Sequence, residues 1–206
     1  MKKLPIEFYR RDNVFIVAKE LLGKILVTKF NGPDNYRDET SGRIVEVEAY
    51  NGEIDKASHA YGGRRTNRTE VMYAHGGVCY VYLCYGIHHL FNVVSNDKDI
   101  PHAILIRALE PLKGIEKMLQ RTGKENADYT LTKGPGNVSK ALGIQTKHTG
   151  ISLLSKELYI ADDGTVYTDK EIGTSPRIGV DYAGKDALLK YRFYIKGNLF
   201  VSGKTK

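Results

Sequence analysis

Tryptophan is absent from this 206-residue chain, and cysteine occurs only twice. Cys79 and Cys84 lie five residues apart in one strand-like run, so their side chains point to opposite faces and cannot pair there. Reduced thiols and an intracellular setting are therefore expected, rather than a fold built on disulfides. No apolar run approaches the roughly 20 residues needed to span a bilayer. The opening MKKLPIEFYRRDN has positive charge with no apolar stretch behind it, and is not expected to be a signal peptide. No cluster has metal-ligand spacing, and the adjacent His88 and His89 diverge in a strand, so neither a metal nor any other cofactor is expected. The chain also lacks internal repeats, low-complexity tracts and linkers.

What is present is positive charge and tyrosine. Thirty-one Lys and Arg against 24 Asp and Glu give a net charge of +7. Such an excess favours a polyanionic partner, although an unspecialised basic enzyme has the same balance. Tyrosine is frequent, 14 residues against 6 phenylalanines. The length fits one domain over residues 1–206, large enough to bury a core without metals or disulfides.

The most informative stretch is GRIVEVEAY, Gly42 to Tyr50. Read as a strand, it places Val45, Val47 and Ala49 on one face and Ile44, Glu46, Glu48 and Tyr50 on the other. The first face suits a core. By itself the second is most simply a solvated face with incidental glutamates, because charged residues are mostly exposed.

Before it, Asp12 can cap a helix over VFIVAKELLGK that stops at Gly23. KILVTKF reads as a strand, NGPDNYRDETSG as a polar turn, and GRIVEVEAY as the hairpin partner. The segment NGEIDKASHAYGGRRTNRTEVM is long and irregular, which inside a compact domain marks function or disorder. It carries His59, Gly62-Gly63, and Arg64, Arg65 and Arg68, which are residue types suited to gripping phosphates.

VCYVYLCYG and HHLFNVVSN form a predicted hairpin folded at Gly86 and Ile87. Tyr80 and Tyr82 share a face, where tyrosines ordinarily pack. Tyr85 sits at the tip, where an aromatic has little to pack against. Asn92 interrupts an apolar run, so its amide needs partners. In the strand HAILIRALEP, the lone charge of Arg107 requires a carboxylate or a cleft. Pro111 would open a helix ending near Gly123, and KGPGNVSKALGI would be a Gly/Pro loop running into a helix start. That loop is a possible phosphate seat, but it lacks the spacing of a nucleoside-triphosphate loop. Residues 145–174 read as strand-like and polar, with a turn at Asp162-Asp163-Gly164 and no evident chemistry. PRIGVDYAG would leave Arg177 facing solvent or phosphate, and KYRFYIKGN with LFVS would close the chain as a hairpin. The fold expected is α+β, a curved antiparallel sheet with a protruding hairpin and a few short helices.

RIVEVEAY, the D-x-A-x-H of Asp55 to His59, GGRRT, YVYLCYG, Asn92, IRALEP, PRIGV and RFYIKGN occur in an order and spacing that resembles the alkyladenine (3-methyladenine) DNA glycosylase family. The resemblance covers Gly42 to Asn198 and is weak only over residues 145–174. It implies an enzyme that flips alkylated or deaminated purines from duplex DNA and hydrolyses the N-glycosidic bond. By the same resemblance, Glu48 would be the general base and Arg107 would hold the water or a phosphate and keep Glu48 ionised. Tyr50, His59 and Tyr82 would stack on the base, Asn92 would screen it, and Tyr85 would fill the gap from the minor groove. Arg64, Arg68 and Lys140 would touch phosphates. The partner implied is double-stranded DNA and not a membrane, and a cytoplasmic monomer (nuclear in a eukaryote) is expected. A non-catalytic nucleic-acid-binding domain and a hydrolase of small nucleosides or sugars are the competing readings. The first leaves Glu48 unexplained, because a carboxylate facing DNA costs affinity. The second leaves Tyr85 and the basic surface without a role.

Overall fold

A computed structural model describes residues 1–31 and 37–203, and in these nine strands form one antiparallel, unclosed sheet. In chain order the elements are β1 (Lys2–Lys3), α1 (Ile6–Tyr9), α2 (Val14–Leu21), β2 (Ile25–Asn31), β3 (Arg37–Asn51), β4 (Cys79–Cys84), β5 (His88–Ser95) and β6 (His102–Lys113). They are followed by α3 (Ile115–Thr122), α4 (Pro135–Leu142), β7 (Leu158–Asp162), β8 (Ile172–Ser175) and β9 (Arg192–Ile195). The sheet runs β1-β7-β2-β3-β6-β5-β4, with β9 also on β3 and β8 on β9. This is the expected α+β architecture. Among the described residues, no helix is long and apolar enough to cross a membrane.

The GRIVEVEAY run lies in the middle of the sheet. β3 pairs with β6 along one edge, and with β2 and then β9 along the other. Its second half is thus covered on both edges, and Ile44 to Ala49 are all wholly buried. The expected solvated face does not exist, because the surrounding strands and the chain after β9 enclose it. Two irregularities interrupt the β3–β6 ladder there: Val45 is the extra residue on β3, and Arg107 is the extra residue on β6. Bulges re-aim side chains, and this pair brings Arg107 onto the glutamate face.

Several boundaries differ from the sequence expectation. The cap of α2 is Asn13, whose Oδ1 accepts from the Phe15 and Ile16 N–H groups, and not Asp12. RDETSG belongs to β3, since polar side chains suffice where the backbone ladder to β2 supplies the pairing. The rest of that expected turn, residues 32–36, lies outside the described residues. Pro111 lies within β6, two residues before its end, rather than opening a helix. It sits beside a slip in the β3–β6 register, where a missing N–H is tolerated. Residues 145–174 contain only β7 and the start of β8 as named strands, although Gly164 does turn on Asp162. The closing hairpin is β8–β9, and the LFVS segment has no named strand.

Candidate active site

Glu46 and Glu48 project from the same side of β3 but have different surroundings. The Glu46 carboxylate accepts from Arg107 Nε (2.9 Å), Arg192 Nε (2.7 Å), Ser202 Oγ (2.8 Å) and the Ser202 N–H (2.6 Å). Glu48 Oε1 accepts from the Ile178 N–H at 2.7 Å and lies 3.2 Å from Arg107 Nη1. Its Oε2 accepts from the Tyr50 hydroxyl at 2.9 Å. Burial pushes the Glu48 carboxyl above the usual carboxylate range, opposed by Arg107, the Ile178 N–H and Tyr50. Tyr50 is raised well above the ordinary phenol by its own burial and by Glu48, so it stays a donor.

Two cavities meet in front of Glu48. The inner one is a slot of about 30 Å³ lined by Tyr50, His59, Tyr80, Tyr82, Asn92 and Tyr182 among others. The outer one is a cleft of about 410 Å³. Tyr50, Arg107 and Ile178, the three groups that hold the Glu48 carboxylate, all line this cleft. The carboxylate therefore stands directly behind its wall.

The slot is made of interlocked rings. His59 Nδ1 lies 2.9 Å from the Tyr80 hydroxyl, and the His59 ring meets Tyr82 edge-on at 4.7 Å. Burial, with Arg68 and Arg64 nearby, lowers the His59 imidazole to about 4, so it is neutral at physiological pH. The Arg68 guanidinium is 5.2 Å from the Tyr82 ring centre and donates to the Tyr80 hydroxyl at 3.3 Å. The Asn92 amide donates to the carbonyls of Tyr80 (3.1 Å) and Leu90 (3.3 Å), an arrangement that fixes which way it points. Both donors are used on the backbone, and its Oδ1 remains as the acceptor.

The hairpin turns on Tyr85 and Gly86, one residue earlier than Gly86-Ile87. Both have positive φ (52° and 74°), and the Ile87 N–H closes onto the Cys84 carbonyl at 3.2 Å. This mirror-image turn suits the strand twist, but the left-handed region costs a tyrosine about 1–2 kcal/mol. The strained residue is also 87 % exposed, and Ile87 beside it is 71 % exposed. An exposed aromatic held in a costly conformation calls for a reason outside the fold.

Two comparisons with known proteins bear on this geometry. The family described as methylpurine-DNA glycosylase matches residues 7–199. A protein of Clostridium perfringens strain 13 is 47 % identical over 98 % of this chain and 100 % of its own length. One from Desulfitobacterium hafniense Y51 is 43 % identical over 99 % of this chain and 100 % of its own, and one from Bacillus cereus G9842 is 46 % identical over 97 % and 98 %. All three bear the name "Putative 3-methyladenine DNA glycosylase". The chain belongs to the methylpurine-DNA glycosylase family.

It is accordingly a DNA glycosylase, a hydrolase of N-glycosyl bonds whose partner is DNA. The fold brings Glu48, Arg107, Tyr50, His59, Tyr82 and Asn92 together around the two cavities. Tyr85 lines the outer cleft from the hairpin tip. Arg64 is exposed beside the slot, and Lys140 lies apart on α4, its Nζ donating to the Thr122 carbonyl. The glycosylase also depends on residues the sequence reading passed over or misplaced. Arg177 is 5 % exposed, not solvent-facing. It pairs with both oxygens of Asp55 at 2.5 and 2.8 Å and stacks over Tyr50 at 4.8 Å. Asp55 heads the D-x-A-x-H motif, and its carboxylate, 2 % exposed, requires the buried cation that Arg177 supplies. Ile178 and Tyr182 lie in the PRIGVDYAG stretch, but nothing there assigns them a role, because segment 176–190 reaches the slot only through the fold.

Proposed function

We propose that this glycosylase flips a damaged purine out of duplex DNA into the Tyr50–His59–Tyr82 slot and hydrolyses its glycosidic bond with a water activated by Glu48. The carrying observation is a wholly buried carboxylate bonded to Tyr50, a residue that lines both an aromatic slot and an open cleft. An ionised carboxylate offers about four acceptor positions. The Ile178 N–H takes one on Oε1, which also faces Arg107, and the Tyr50 hydroxyl takes one on Oε2, which leaves a position on Oε2 for a water. That water, polarised by Glu48, attacks C1′ of the flipped sugar, and the negative charge stabilises the oxocarbenium-like transition state.

In this reading Arg107 fixes the carboxylate and favours its ionised form, and a neutral His59 joins the tyrosines in stacking on the base without repelling a cationic one. Stacking is worth about 1–3 kcal/mol per base, and electron-poor alkylated rings gain more from electron-rich ones. Asn92 screens against the exocyclic amino group of guanine. Tyr85 enters the stack from the minor groove and occupies the vacated place. Arg64, Arg68 and the loop from Gly134 to Lys140 contact phosphates. 3-Methyladenine and 7-methylguanine are cationic while still attached to the sugar and so depart readily as neutral bases, whereas hypoxanthine and ethenoadenine need more help from the pocket. No lysine forms a Schiff base, so an abasic site is left without strand cleavage, and the enzyme acts as a monomer. The test is incubation with duplex DNA carrying a single hypoxanthine or ethenoadenine, followed by an assay for abasic sites. Intact product strands after prolonged incubation would refute the substrate assignment.

Tyr85→Ala separates the wedge from the pocket. It should leave the melting temperature within a degree or two, because the side chain has few protein contacts. Excision from duplex DNA should fall about tenfold or more, the worth of a lost stacking partner, while single-stranded substrate is cleaved nearly as before. Equal losses on both substrates would remove the wedge role.

A further inference from the structure

The slot is too small for its guest. A cavity of about 30 Å³ takes on the order of two waters, whereas a purine has about ten ring and exocyclic heavy atoms. One wall has to move, and most walls are fixed. The Tyr50 hydroxyl is bonded to Glu48 and its ring is covered by Arg177. Tyr82 is packed by His59, Tyr80 and Arg68. Asn92 is held by two carbonyls, and Met72 and Ala103 belong to a buried cluster.

The exception is Tyr182, which lines both the slot and the outer cleft. Its ring is at the boundary a base must cross, and the residue is 70 % exposed. Its one side-chain hydrogen bond among the described residues is from the hydroxyl to the Ala57 carbonyl, at 3.0 Å. The backbone on either side is anchored: Val180 and Ala183 are buried against Ala57, and the Ile178 N–H is bonded to Glu48. Movement is thus confined to the side chain, and rotation about its own bonds carries the ring out into solvent.

We propose that Tyr182 is the gate of the base slot, latched by its hydrogen bond to the Ala57 carbonyl and released for each purine that enters. The latch sets a threshold. A base that seats quickly and stacks well holds the gate open long enough for hydrolysis, and one that stacks poorly returns to the duplex. The proposal rests on the slot being the base pocket.

It is tested by stopped-flow fluorescence of duplex DNA carrying one ethenoadenine, in the Glu48→Gln background so that no bond breaks. Tyr182→Phe removes the latch and keeps the ring, and it should speed the seating phase about three- to tenfold, the value of one neutral hydrogen bond. Tyr182→Ala should seat at least as fast and, with Glu48 restored, should cut bulkier alkylpurines that the parent discriminates against. A seating rate within twofold of the parent in Tyr182→Phe, or slower seating in either variant, would mean that the ring supports the slot rather than gates it. Tyr82→Ala is the control. If it changes the seating phase while Tyr182→Phe does not, only the gate is lost. If it changes nothing, the base goes elsewhere and both readings fall.

Discussion

Glu48→Gln should lower single-turnover excision about a hundred- to ten-thousandfold, the usual contribution of a positioned general base, with duplex binding retained. The substitution is nearly isosteric. The glutamine oxygen can keep the Ile178 N–H and Arg107, and its amide can donate to the Tyr50 hydroxyl, which turns its own proton elsewhere. Stability should not suffer. The folded carboxyl of Glu48 is raised above its unfolded value, so across that interval the folded state holds the extra proton and stability declines as pH rises. At neutral pH the ionised group is a net cost, and the glutamine variant should melt at the wild-type temperature or above it. The same shift predicts the shape of the wild-type pH profile. Excision needs the ionised form, so its acid limb should lie above the ordinary carboxylate range and be missing from whatever activity Glu48→Gln retains. Excision within tenfold of wild type, or a clear loss of thermal stability, would contradict this assignment.

The site was more legible in the sequence than its surroundings were. Strand periodicity alone puts Glu46, Glu48 and Tyr50 on one side of β3, and it puts Tyr85 at a hairpin tip, because both follow from local geometry. Periodicity is silent on what covers a face. The burial of Glu46 arises from β9 and the segment after it, more than 140 residues away in the chain, and Glu48 is met by Ile178, 130 residues away. Arg107 could be recognised as needing a carboxylate, but the partner was not identifiable, since its aim depends on a bulge formed between two strands. Arg177 was misjudged for the complementary reason. A loop arginine is exposed by default, and only the docking of segment 176–190 against Asp55 overrides that. Tyr182 is the extreme case, an exposed tyrosine in an irregular stretch whose importance lies wholly in what it faces.

The two glutamates also divide labour. Glu46 receives four donors from Arg107, Arg192 and Ser202, whereas Glu48 is bonded to Tyr50 and Ile178, which line the cleft. The role of Glu46 is to hold Arg107 and Arg192, two guanidiniums that are 6 % and 1 % exposed. Glu46→Ala would leave Arg107 with Glu48 alone and Arg192 with no carboxylate partner among the described residues. Breaking a buried pair from one side costs about 3–5 kcal/mol, because the stranded charge has lost its water and its partner. For a chain of this length each kcal/mol is about 2–4 °C, so a fall of roughly 6–20 °C in melting temperature is expected. Glu46→Gln keeps an acceptor without the charge and should fall between the two. The contrast with Glu48 is the decisive measurement, since the residues are neighbours on one strand face and equally buried. Thermal melts should show a large loss for Glu46→Ala and none for Glu48→Gln, with excision cut at least a hundredfold in the second and, below its lowered melting point, by much less in the first. Were Glu46→Ala to melt within a degree or two of wild type, the anchoring of Arg107 would have to come from Ser202 and Glu48 instead. Glu48 would then be a structural as well as a chemical residue.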